Sequence, residues 1–438
     1  MAALFHTLLV LVVLAAAPRP ALAAAGIFTP LTEAAAKAAT ADAPAAKDIP
    51  ARRSRLVSVD IPALFPAAAD SSRQALPKAA LTLNLFDDVT IAMTPTAAEA
   101  VPTTGSTVLV GENEAAVGGQ SRFARTGGAV YGLVRTSGNL LYEIAPQGGQ
   151  GAYVIREIDQ ADYPDEHEVL VPEASLPKAG SRAATAADDG SVIDVMILYT
   201  PSARAAAGGT EAMASRIALA LDETNQGYAN SGLVQRFRLV QAREVAYTET
   251  GFSTALSDLR GTADGNMDDI HALRNTYGAD IVSLFINDSS SCGLGYLMTS
   301  TGYDFSGYAF NVVHYTCATG YYSFAHESGH NQGAHHDRAN ASGSVLYTYA
   351  YGYQQTAAPS PFRTIMAYAC SGLSCTRVNY WSNPEVNYTG YPTGVLHTAA
   401  NAADNRRTLD NTRTIAANWR QSVSRIVPSV PLGLLLLE

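Results

Sequence analysis

The chain has 438 residues, a formal net charge of -10, 47% hydrophobic and 16% charged residues, and four cysteines. That apolar content excludes wholesale disorder, and the length allows roughly two to three domains. The acidic balance, with no Lys/Arg-rich block, argues against a nucleic-acid or anionic-membrane partner. No apolar run reaches the roughly 18–20 residues a bilayer span requires.

Leu8 to Ala17 is an apolar run, and Pro18 and Pro20 bar it from continuing as a buried helix. Ala21-Leu22-Ala23 follows as a small-x-small cleavage site, so residues 1–23 read as a signal peptide. The expected product is secreted, to the periplasm or the extracellular space. Residues 24–80 are Ala-rich with little periodic signal and are expected to be a partly disordered pro-segment. Residues 81–173 read as a small β-rich domain. Its strands are expected at Leu81–Leu85, Val89–Met93, Thr107–Val110, Val130–Arg135, Leu140–Ile144 and Tyr153–Ile158, separated by Gly or Pro turns. Residues 174–190 have linker composition.

Residues 191–421 alternate strand and helix at their start, which suggests an α/β arrangement around a mixed sheet. Val192–Thr200, Val234–Tyr247, Ile281–Ile286 and Tyr308–Tyr315 read as strands. Thr210–Asn230, with Thr210 as cap, and Met267–Tyr277 read as helices. Residues 422–438 form a tail to which no function attaches. Asp264-Gly265-Asn266-Met267-Asp268 mimics the start of an EF-hand loop, but Asp269 and Asn275 stand where Gly and Glu are required.

The chemistry is concentrated at His326-Glu327-Ser328-Gly329-His330. On a helix, positions four apart share a face, so both imidazoles can address one zinc ion. Glu327 then sits where a carboxylate reaches water at the metal rather than the metal itself. Gly333 and His336 extend the pattern to H-E-x-x-H-x-x-G-x-x-H. A glycine at positive φ lets the helix end and the chain return a third imidazole. His336, not the off-register His335, has the right spacing. Thirty residues on, Thr364-Ile365-Met366-Ala367-Tyr368 is an apolar turn containing a methionine.

The extended motif and the later Met-containing turn resemble the metzincin metallopeptidases. The likeness covers roughly residues 191–421 and implies an α+β metzincin catalytic domain: a mixed twisted sheet with helices, a zinc helix, a Met-turn and a smaller C-terminal subdomain. The small β-rich pro-domain precedes it. By resemblance, His326, His330 and His336 bind one catalytic Zn²⁺, Glu327 is the general base and Met366 floors the site. Asp337 resembles the adamalysins, whereas Tyr368 resembles the astacins and serralysins, in which that tyrosine assists at the oxyanion. The opening strand followed by Thr200-Pro201, the HNQG stretch and TIMAY followed by a cysteine are most similar to the bacterial peptidyl-Asp metalloendopeptidases.

The resemblance implies a secreted, monomeric zymogen that hydrolyses internal bonds of protein or peptide substrates, with no nucleic-acid or membrane partner. It also implies cleavage on the amino side of Asp. Arg377, after the Met-turn, is then a candidate to read an acidic P1′ side chain, because an arginine fork matches a carboxylate. An ordinary surface arginine is the alternative. Two rival functions are a metzincin preferring apolar P1′ residues and a non-catalytic adhesin with a relict zinc site. Four cysteines allow three connectivities; Cys370–Cys375 with Cys292–Cys317 is expected. The amino-terminal half lacks cysteine, which excludes a cysteine switch. Asp162, Asp165 and His167 are the candidates there for blocking the metal, and Ala187-Asp188 in the linker is the expected self-processing site.

Overall fold

The structure is a computed structural model that describes residues 26–41, 51–66, 76, 79–113, 119–136, 140–148, 151–172 and 188–423. The expected leader at 1–23, most of the expected linker at 174–190 and nearly all of the expected tail at 422–438 lie outside the described residues. Nine strands form one antiparallel sheet in the amino-terminal half: β1 Phe28–Pro30, β2 Arg53–Val59, β3 Leu81–Phe86, β4 Val89–Val101, β5 Ser106–Asn113, β6 Gln120–Thr126, β7 Ala129–Arg135, β8 Leu140–Pro146 and β9 Ala152–Asp159. Their order is β1-β2-β9-β8-β7-β6-β5-β4-β3. The two edge strands meet: Ile27 N–H donates to Thr82 O, and the Asn84 side chain bonds both the amide and the carbonyl of Phe28. The sheet is therefore rolled towards closure, which protects edges that would otherwise invite pairing.

Alternation along the strands explains the two sides of this sheet. Leu83, Leu109, Phe123, Val130, Val134, Tyr142 and Ile155 share one buried cluster inside the roll. Their neighbours Val108, Ala124, Tyr131, Leu133, Leu141 and Val154 point outward into the core of the second half. Burial on both faces is why these strands read as nearly continuous apolar runs. Residues 24–80 are more than an unpatterned lead-in, because β2 lies between β1 and β9, with Arg53 opposite Glu157 and Ser58 opposite Ala152. Short helices α1 (Glu33–Ala41) and α2 (Ile61–Leu64) also fall there. The charges of RSRLVSV had masked β2, and those of QSRFART had masked β6. Arg122 of β6 is buried with its guanidinium bonded to Asp222 and Gln120.

The second half opens with β10 (Val192–Tyr199), α3 (Pro201–Ala207), α4 (Thr210–Asn230) and β11 (Arg236–Glu244). It continues with α5 (Phe252–Arg260), α6 (Asp269–Tyr277), β12 (Ile281–Ile286), β13 (Gly293–Gly295), β14 (Phe310–His314), α7 (Ser323–Asn331) and, near its end, α8 (Asn405–Ala416). The five strands lie in the order β11-β10-β12-β14-β13; all pairs are parallel except β13 with β14. This is the mixed α+β arrangement expected. Thr200 caps α3, its hydroxyl accepting from the Ala203 amide at 3.0 Å. Thr210, by contrast, is the first residue of α4, whose cap is Gly209 at φ 110°; that backbone is one only glycine takes easily. The cysteines pair as Cys292–Cys317 and Cys370–Cys375. Among the described residues, no helix is long and apolar enough to cross a membrane.

The halves share one core. α4 packs on β5, β6 and β7, and its Arg216 is buried between Tyr131 and Glu143, bonding them at 2.8 and 3.0 Å. Arg156 completes the neutralisation at 2.8 Å from Glu143. A buried carboxylate held by two guanidinium groups stays ionised, and the Glu143 pKa is drawn down to about 2, the two arginines outweighing the burial that opposes them.

Candidate metal and active site

α7 begins abruptly. Gly320 at φ 73° and Tyr322 at φ 66° turn the chain into it, and Gly333 at φ 91° turns the chain out. The exit is closed by the Ala334 amide donating to Gly329 O at 2.9 Å. His336 is thereby brought back over the helix, and the Nε2 atoms of His326, His330 and His336 converge at 3.0, 3.1 and 3.0 Å from one another. All three rings are buried.

The donor set fits a metal ion. His326 Nδ1 bonds Ile365 O at 2.9 Å and His330 Nδ1 bonds Ala334 O at 2.8 Å. These partners take the Nδ1 proton and leave an Nε2 lone pair on each ring. Burial, with neighbouring positive charge from Arg377, lowers the pKa of His326 well below its usual value. His330 is lowered likewise by burial and the neighbouring histidines, and His336 falls to about 3. Three neutral imidazoles with lone pairs 3 Å apart repel one another unless a cation lies among them. His335 is used otherwise, its Nε2 on Ser342 O and its Nδ1 accepting the His336 amide.

Glu327 lies on the same helix turn, against β13. A Cβ on Gly293 would stand 2.3 Å from Glu327 Oε1, and one on Gly295 would stand 2.9 Å from Oε2. The bare edge strand is what makes room for the carboxylate. Glu327 Oε1 is buried and has no hydrogen-bond partner among the described residues. Burial raises the Glu327 pKa well above its ordinary value, and the nearby Glu166 raises it further.

Met366 is fully buried with its sulfur beside Gly329, where an added Cβ would lie 3.0 Å from it. The Tyr368 ring packs on His336 with centroids 4.3 Å apart. Its hydroxyl proton is shared between the backbone carbonyls of Glu166 and His167, at 2.9 and 3.2 Å. Arg363 bonds Ala367 O at 2.7 Å and Tyr321 Oη at 3.0 Å, bracing the Met-containing turn.

Arg377 is only 1% exposed, so the ordinary surface arginine is ruled out. Its Nε donates to Ile365 O at 2.9 Å, and its Nη1 donates to Glu166 Oε1 at 2.8 Å. Ser323 Oγ donates to the same oxygen at 2.9 Å. One oxygen atom each of Glu166 and Glu327 and one ring nitrogen of His326 lie within 4.8 Å of one another. Asp162, Asp165 and His167, the blocking candidates in the sequence, are exposed; Glu166 between them is the residue that enters. Asp165 and His167, the immediate neighbours of Glu166, face away from the site, and Asp162 lies on a short 3-10 turn, Gln160–Asp162. Sequence reading also missed Ser323, whose hydroxyl reads as a helix-start residue until the fold brings Arg377 beside it. His314 is buried in β14 with Nδ1 3.3 Å from Ile286 O and is not one of the grouped histidines.

Comparison with known proteins agrees with this geometry. The family described as Metallo-peptidase family M12 (Reprolysin_5) matches residues 189–382. A peptidyl-Asp metalloendopeptidase of Xanthomonas campestris is 41% identical over 302 residues, covering 68% of this chain and 69% of that protein. One from Pseudomonas fragi is 38% identical over 199 residues, covering 45% of this chain and 100% of that protein. Among solved structures, metalloproteinase-II of Bacteroides fragilis aligns at a TM-score of 0.33 and 12% identity, over 59% of this chain and 81% of that one, too slight a likeness to bear on the fold. The three converging histidines and the M12 match define a metallopeptidase. The chain belongs to the peptidyl-Asp metalloendopeptidase family and is a zinc metalloendopeptidase, a hydrolase acting on protein or peptide substrates.

Proposed function

We propose that this is an exported endopeptidase, made as a latent precursor, that cuts before acidic residues and above all before Asp. His326, His330 and His336 would hold the zinc, which when bound supplies Lewis acidity for activating water and polarising a carbonyl. Glu327 takes a proton from the attacking water at a carboxylate oxygen and delivers it to the leaving amine. Its unpartnered Oε1 supports that role. Tyr368 Oη donates to the oxygen of the polarised carbonyl; its bond to a peptide oxygen, that of Glu166, from a ring packed on His336 supports this. Met366 and Arg363 position the turn that carries Tyr368.

The preference for an acidic side chain rests on one observation above others: a carboxylate, that of Glu166, is bound by Arg377 and Ser323 next to His326. The curated relatives are named for action at Asp, which agrees. Asp is shorter than Glu by one methylene, and the pocket would admit it with the backbone drawn closer to the zinc-binding rings. Two disulfides support export to an oxidising compartment, and residues 1–23 would be the leader removed on the way. The domain boundaries and the processing site at Ala187-Asp188 belong to the same reading.

Cleavage-site mapping on a proteome-derived peptide mixture, with and without a zinc chelator, tests the proposal. Asp should dominate at P1′, and the chelator should abolish cutting. Cuts spread over apolar P1′ residues would favour the rival specificity, and no cutting at all would favour a relict site.

A further inference from the structure

The residues that would receive a substrate are already in use. Residues 165–170 lie along β13 in parallel register: Cys292 N–H donates to Asp165 O, His167 N–H to Gly293 O, Leu170 N–H to Gly295 O, and Leu297 N–H to Leu170 O. Gln160 pairs with the backbone of Arg377, accepting its amide at 2.8 Å and donating to its carbonyl at 3.2 Å. Tyr163 stacks on Tyr321 with ring centroids 4.4 Å apart and planes 4° apart. Tyr368 holds two carbonyls of the segment. At the centre, Glu166 and Arg377 form an ion pair with side chains 2% and 1% exposed.

That pair is a poor device for stability alone. Burying two charges strips both of hydration before their attraction offsets it, and Glu166 Oε2 has no hydrogen-bond partner among the described residues. The same arrangement makes sense as recognition. A buried guanidinium fork needs an anion, and here the chain supplies one from its own amino-terminal half.

We propose that residues 160–170 are an intramolecular occupant of the substrate cleft, with Glu166 filling the pocket of Arg377 and Ser323 that otherwise takes an acidic substrate side chain. This rests on the reading of Arg377 given above. It assigns latency to competition for a specificity pocket, with Ser323 as the second donor that pocket uses. A substrate and the segment cannot be bound together, because they require the same guanidinium, the same hydroxyl of Tyr368 and the same edge of β13.

The test is peptide binding to the full-length, zinc-loaded chain in a Glu327→Gln background, where neither the probe nor the linker is cut. The probe is a fluorescein-labelled peptide with one Asp, compared with its Asn counterpart, read by anisotropy. Glu166→Ala should tighten binding of the Asp peptide at least tenfold, and the isosteric Glu166→Gln should do so as well. Glu168→Ala, at an exposed neighbour, should leave affinity within twofold of the parent. Should Glu166→Ala not fold, Glu166→Gln alone decides. Unchanged affinity for the Asp peptide in folded Glu166 variants overturns the occupancy. If both peptides bind more tightly without preference for Asp, the occupancy stands and the reading of Arg377 fails instead.

Discussion

Asp337 ties the loop of the third histidine to the turn beneath it: its Oδ2 accepts the Tyr368 amide at 3.0 Å. The same carboxylate accepts from the Asn340 side chain and the Ala339 amide, so one side chain fixes both His336 and Tyr368. Groups that orient metal ligands without touching the metal typically alter affinity by ~10–100-fold when removed. Asp337→Ala should weaken zinc affinity by about tenfold or more in chelator competition, while the circular dichroism spectrum is unchanged.

Glu327→Gln keeps the shape of the side chain and removes its basicity. Zinc content should stay at wild-type level, and turnover should fall by several orders of magnitude, about 10²–10⁴ being the usual share of a single proton-transfer group. Digestion of a protein substrate at the wild-type rate would end the assignment of Glu327 as base. The linker should also stay intact in this variant.

Arg377→Ala separates reading from folding. On peptides matched except for Asp or Ala at P1′, the wild type should favour Asp strongly and the variant should lose most of that preference. Arg377→Lys should restore it only in part, because an ammonium cannot reproduce the spaced donors by which Arg377 holds Ile365 O through Nε and a carboxylate through Nη1. An unchanged preference would remove Arg377 from the pocket.

Glu143 makes the joint between the rolled sheet and α4 sensitive to acid. Its pKa is drawn down to about 2 in the folded chain from an ordinary 4.5. Stability from this group is present in full above pH 4.5 and is lost as the pH falls towards 2. Thermal midpoints measured from pH 6 to pH 2.5 should fall less steeply in Glu143→Gln than in wild type. The variant should already be destabilised at pH 6, because Arg216 loses its buried counter-charge.

A side chain at Gly293 should displace the Glu327 carboxylate. A methyl group there would stand 2.3 Å from Glu327 Oε1. Gly293→Ala should lower activity at least tenfold with zinc content and thermal midpoint little changed, measured by metal analysis and calorimetry.

Much of the site was legible because its parts are close in sequence. The spacing from His326 to His336 is dictated by one helix and one glycine turn, and Gly333 takes the positive φ that the pattern required. The strands Val192–Tyr199 and Ile281–Ile286 were legible because both are wholly or nearly wholly apolar. What the sequence hid depends on contacts across long separations. Glu166 and Arg377 are 211 positions apart, and nothing local marks Glu166 over Asp165 or His167. Strands β2 and β6 were hidden because their arginines find partners only once the sheet exists.

The bond between Asp188 and Asn418 separates two events that are easily taken as one. Asn418 grips Asp188 at its amide and its carbonyl, at 3.0 and 2.8 Å, while the rolled sheet stays attached through the shared core and the Arg216–Glu143 pair. A cut between residues 187 and 188 would therefore produce a nicked complex that still carries its own plug. Full activity would then follow dissociation, so a freshly nicked sample should gain activity on dilution.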